Sequence, residues 1–117
     1  MIQRFVYVTL QKEFIHQYKD APDEVSYLRF PHRHMAHIKV KVEVFNNDRE
    51  IEFIMLKHKL ELHLNYLTKT SNNSCETIAT ELFTFMQHEY SMSRDMEITV
   101  SEDGENGSTL VYRKKEV

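Results

Sequence analysis

A chain of 117 residues with a formal net charge of −3 and no long basic run lacks the electrostatic footprint of a nucleic-acid binder. Its 41% hydrophobic and 28% charged residues are ordinary for a globular chain, so a single domain over 1–117 with one core is expected. No apolar run reaches membrane-spanning length, no hydrophobic signal segment opens the chain, and the lone Cys75 cannot make an internal disulfide; the expected address is cytoplasmic, without a membrane partner.

From Phe5 to Ile15 the chain is rich in β-branched and aromatic residues, which predicts a strand with His16 near its end. Lys19 to Pro31 mixes charge with two prolines and reads as a long excursion between strands. Ile38, Val40, Val42 and Val44 then alternate with Lys39, Lys41 and Glu43, giving a second strand with one buried face and one wet face. Extended backwards, this strand carries His32 and His34 on the face of Ile38 and Val40. Asn46-Asn47-Asp48 is a turn by composition.

From Glu52 the period changes. Phe53, Leu56, Leu60, Leu64 and Leu67 recur at three and four residues and predict an amphipathic helix with these side chains in the core. Ser71 to Ser74 interrupts it, and Asn73, with Glu76 three residues on, suits the start of a second helix whose core face is Ile78, Ala79, Leu82 and Met86. Met96 to Ser101 returns to strand, Asp103 to Gly107 turns, and Leu110 to Arg113 closes the chain as a strand. The expected class is α+β: a four-stranded antiparallel sheet with two helices packed on one face, in ββααββ order.

The histidines carry the chemistry. Positions i and i+2 of a strand point to one side, so His32 and His34 can aim two imidazoles at one ion, and His16 on another strand can complete the set. Three protein ligands with one exchangeable position is the pattern of reactive zinc, whereas a closed thiolate site needs more than one cysteine. Alone, a His-x-His on a strand is more often a polar edge.

Taken in order, these landmarks resemble the family of 6-pyruvoyltetrahydropterin and 6-carboxytetrahydropterin synthases, small ββααββ proteins of the tunnelling fold. His16 followed by His32 and His34 is similar to the family's three zinc ligands. Arg49 to Lys57 looks like its lead-in to the first helix, with Glu52 in place of aspartate. Ser74-Cys75-Glu76-Thr77-Ile78-Ala79 is similar to the opening of its second helix, without the usual proline, and Val100-Ser101-Glu102 with Tyr112-Arg113 resembles its closing strands.

The resemblance implies zinc on His16, His32 and His34, and a pterin- or purine-like ligand held by Glu102, with Glu76 the second ligand-binding candidate. It implies a homo-oligomer with sites at subunit interfaces, and expulsion of triphosphate from a dihydropterin triphosphate. A carboxylate suits the ring edge because its two oxygens accept from two adjacent N–H donors.

The chain departs from the pattern where the family keeps its base. Leu28 stands in the place of the expected cysteine before the His-x-His, and Leu60-Glu61 in the place of an Asp-His pair. Leucine cannot transfer protons, so the remaining catalytic candidates are Cys75, at a helix amino terminus, and Glu61 and His63. Residues two apart on a helix do not face each other, so Glu61 and His63 cannot both reach one site. A zinc lyase and a non-catalytic binding protein on the same scaffold are both open at this point.

Overall fold

The computed structural model describes residues 1–67 and 74–115. Its element order is β1 (Arg4–His16), a short 3-10 segment (Asp23–Arg29), β2 (His32–Val44), α1 (Phe53–Leu67), α2 (Cys75–Tyr90), β3 (Met96–Glu102) and β4 (Asn106–Tyr112). The strands form one antiparallel sheet in the order β1-β2-β3-β4, with the helices between β2 and β3, which is the ββααββ arrangement of an α+β fold.

Register explains why the pattern is so legible. Val8 pairs with Val40, Val40 with Ile98, and Ile98 with Leu110, so even-numbered residues meet even-numbered residues across the whole sheet. Successive side chains alternate faces, and the even face is the one the helices cover. Val8, Leu10, Phe14, Ile38, Val40, Val42, Met96, Ile98 and Val100 are buried there. Against them α1 presents Leu56, Leu60, Leu64 and Leu67, and α2 presents Ile78, Ala79, Leu82 and Met86. Each fully buried leucine of this kind contributes roughly 1.5–3 kcal/mol.

Phe53 shares the leucine stripe but is 52% exposed. It opens α1 at the rim of a cleft lined by Arg4, Val6 and Val44, at the end of the β1–β2 pair. Glu52 caps the start of α1, its Oε1 accepting the Ile54 amide at 3.1 Å. Asn73 lies outside the described residues; the cap of α2 is Ser74, whose Oγ accepts the Thr77 amide at 3.1 Å.

Glu43 departs from the expected wet face: it is 3% exposed. Lys114 Nζ donates to both its oxygens at 3.0 Å, Gln3 Nε2 donates to Oε2 at 3.1 Å, and the Asp95 amide donates to Oε1 at 3.0 Å. Asp95 is tied into the same cluster by Gln3 at 2.8 Å and by the Lys114 amide at 2.8 Å. Residues beyond β4 and before β1 thus fold over a carboxylate pair that alternation alone assigns to solvent.

Burial pushes the Glu43 carboxyl up, but the Asp95 amide, Lys114 and Gln3 together outweigh it and hold it below the usual range. Asp95 is lowered chiefly by the Lys114 amide and then by Gln3. A carboxyl whose folded value is depressed stabilises the fold above its unfolded value, about 4, and that stability drains as pH falls through the folded value. Thermal melts are therefore expected to be flat from neutrality down to about pH 5 and to drop steeply below about pH 4. A melting temperature unchanged at pH 3 would contradict this.

Candidate metal centre

His16 and His32 are directly paired across β1 and β2, and His34 is paired with Phe14, so all three imidazoles stand on the helix-side face at one end of the sheet. Their ring centroids lie 4.5 Å apart for His16 and His32, 4.8 Å for His32 and His34, and 5.0 Å for His16 and His34. One ligand nitrogen from each lies within 4.8 Å of the others, close enough to hold a single metal ion. The buried ring of Phe14 packs edge-on against His16 at 4.9 Å and forms the apolar floor of the cluster.

Two of the rings are oriented from behind. His32 Nδ1 is 2.8 Å from the Phe30 carbonyl oxygen, and His34 Nδ1 is 2.7 Å from Asp103 Oδ2. Both partners are acceptors, so each Nδ1 is the donor, and in the neutral ring each Nε2 then keeps its lone pair, the form in which histidine ligates metals. His34 Nε2 is fully buried and has no hydrogen-bond partner. A buried nitrogen lone pair left unpaired costs free energy, and a bound cation removes that cost, so the donor set fits a metal.

Asp103 is the contribution that sequence reasoning missed. It occupies the left-handed region at φ 58°, followed by Gly104 at φ 74°, which is the backbone of a type I′ turn joining β3 to β4. In that conformation its amide donates to the Met35 carbonyl at 2.7 Å, its Oδ1 accepts the Met35 amide at 2.9 Å, and its Oδ2 remains for His34. The Met35 amide, and then His34, hold its carboxyl below the usual range. The Asp-Gly pair was a visible turn signal; its consequence for His34 depends on which strand lies beside the turn.

Glu102, the last residue of β3, reaches the same cluster. Its Oε1 is 3.3 Å from His16 Nε2 and its Oε2 is 3.4 Å from His34 Nε2. A pocket of about 540 Å³ adjoins the histidines, and its wall includes His16, His32, Glu102, Leu28, Cys75 and Glu76. Leu28 therefore faces the space where the resemblance places a thiol.

The candidate catalytic residues separate. Cys75 reaches the pocket at the start of α2, but burial, followed by the charges of Glu102 and Glu76, pushes its thiol up to about 11. Those effects outweigh the helix dipole that favours a thiolate there. Glu61 lines a different cleft with Lys12, Lys57 and Asn65. His63 stacks on Phe85 of α2 at 4.7 Å and 20°. Neither belongs to the pocket beside the histidines.

Comparison with known proteins leaves the chain unplaced. No family model, curated protein or solved structure matches it. Among the described residues, no helix is long and apolar enough to cross a membrane.

Asp103→Asn tests the orientation of His34. The amide keeps an acceptor for Met35 but turns an N–H₂ donor toward His34 Nδ1, which favours the tautomer with its proton on Nε2. Competition with a chromophoric chelator is expected to show metal affinity about 10–100-fold weaker than in the native chain. Equal affinity would mean that Asp103 does not set the tautomer.

Proposed function

We propose that this chain is a zinc protein of the pterin-synthase type, a carbon–oxygen lyase acting on a dihydropterin triphosphate. The observation that carries the proposal is the convergence of His16, His32 and His34 beside a pocket whose wall includes His16, His32 and Glu102. An all-imidazole set from three residues suits zinc, as it suits other first-row divalent ions, and zinc held there would supply Lewis-acid polarisation of substrate oxygens.

The rest of the site binds and orients. Glu102 accepts two N–H donors from a ring edge, and Glu76 is the second carboxylate on the pocket wall. Phe14 keeps water from the inner side of the histidines. Assembly through the sheet edges fits the architecture, because β1 and β4 end the sheet and offer unpaired backbone edges to further copies. A reducing cytoplasmic setting suits a chain whose single cysteine is free.

A second reading has its own support. Leu28 stands on the pocket wall and the Cys75 thiol stays protonated at neutral pH, so among the described residues no thiolate base serves the pocket. Loss of a positioned base costs about 10²–10⁴ in rate without weakening affinity, which leaves a binding protein for a pterin, purine or nucleotide.

Turnover separates the two. Zinc-loaded protein is expected to release triphosphate from dihydroneopterin triphosphate above a His34→Ala control. Absence of release, with calorimetric binding of the pterin that Glu102→Ala abolishes, selects the binding protein; absence of both rejects the two readings together.

A further inference from the structure

We propose that Glu102 is a fourth metal ligand, closing the three-histidine site in the ligand-free protein and opening it only when an incoming molecule draws the carboxylate away. This inference rests on the metal half of the proposed function and not on its substrate.

The first observation is what surrounds the carboxylate. Glu102 is 28% exposed at its side chain, and among the described residues no hydrogen-bond donor reaches either of its oxygens. Its polar neighbours are two imidazole nitrogens, His16 Nε2 at 3.3 Å and His34 Nε2 at 3.4 Å. A half-buried carboxylate set between two imidazole nitrogens is stabilised by a positive charge beside it.

The second observation is the orientation of His34. Asp103 Oδ2 lies 2.7 Å from its Nδ1, which aims its Nε2 at the Glu102 carboxylate, and that Nε2 is buried without a hydrogen-bond partner. In the metal-binding tautomer the two groups face each other as acceptors, and a cation between them satisfies both.

The third observation is distance. With zinc–nitrogen and zinc–oxygen bonds of about 2.0–2.1 Å, neighbouring ligand atoms of a tetrahedral site are separated by about 3.3–3.4 Å. Each carboxylate oxygen meets one histidine at about that separation, Oε1 with His16 Nε2 and Oε2 with His34 Nε2, so the carboxylate straddles the side of the cluster that these two rings share. The sheet provides the room: Glu102 pairs with Ala36, a side chain too small to stand between the carboxylate and His34 two residues along β2.

Glu102 cannot give both oxygens to a ring edge while it holds the metal, so the two uses alternate. A ligand that offers paired N–H donors would pull the carboxylate off the metal as it binds, and the freed coordination position would appear only with that ligand in place.

Cobalt tests this without any substrate. Full-length protein is stripped with a chelator, reloaded with Co²⁺, and its visible d–d spectrum followed as azide is added. The native chain is expected to bind Co²⁺ and to ignore excess azide, while Glu102→Gln binds at least about tenfold more weakly and shifts its spectrum with azide. Glu102→Ala is measured alongside, with circular dichroism to establish its fold, and is expected to respond like Glu102→Gln. A native spectrum that azide shifts as readily as either variant's, or a Glu102→Gln affinity equal to the native one, overturns the fourth ligand while leaving the three-histidine centre standing. Native protein that binds Co²⁺ no better than His34→Ala overturns both.

Discussion

His34→Ala is expected to lose divalent-metal binding by about a hundredfold or more, the largest effect of any single substitution at the site. His34 is the ring most fully committed to ligation: Asp103 holds its Nδ1, and its buried Nε2 has no hydrogen-bond partner. Removing it leaves two imidazoles on facing strands, His16 and His32, which are directly paired and can still hold a metal weakly. The fold should survive, because the ring stands at the end of the sheet, outside the leucine-packed core. Metal content by elemental analysis, with circular dichroism as the control, measures both halves. A variant that binds metal like the native chain would remove the centre from this protein.

Glu43→Ala is expected to cost about 3 kcal/mol, at the low end of the range for breaking a buried pair, because Lys114 is about one-third exposed and water recovers part of the loss. The substitution strands the Lys114 ammonium, the Gln3 amide and the buried Asp95 N–H together. For a chain of this length the cost corresponds to a drop in melting temperature on the order of 10 °C. Glu43→Gln keeps an acceptor for the Asp95 amide and should fall by less, while shedding part of the acid sensitivity. Chemical denaturation at pH 7 and pH 4 for the three proteins measures this. A Glu43→Ala variant as stable as the native chain would show that water repairs the cluster.

What the sequence made legible follows from periodicity. Alternation through β2 and the leucine spacing of α1 depend on local geometry, and each matches the structure save at Glu43, which is buried, and at Phe53, which is exposed at the start of the helix. The histidines were legible for the same reason, since side-chain parity needs only an unbroken strand, and β2 runs from His32 to Val44 without a bulge. Glu43 was misread because its cover comes from Gln3 and Lys114, which lie 40 and 71 residues away along the chain. Asp103 was read only as a turn residue because its bond to His34 spans 69 residues and depends on a left-handed backbone.

The lengths of the strands carry one more consequence. β3 pairs with β2 only from Ala36 to Val42, so Glu13–His16 and His32–Met35 project past the sheet as a bare two-stranded ribbon, with the Asp103 turn as its lateral brace. Such a ribbon is marginal by itself. All three histidines sit on or beside that projection, and an ion bound across its strands acts as a clasp on the end that frays first. Occupancy should therefore be readable in the backbone: deuterium uptake at the amides of Ile15, Arg33 and Met35 would slow on metal loading, while the amides of Val40 and Ile98 keep the same exchange rate with the clasp open or shut.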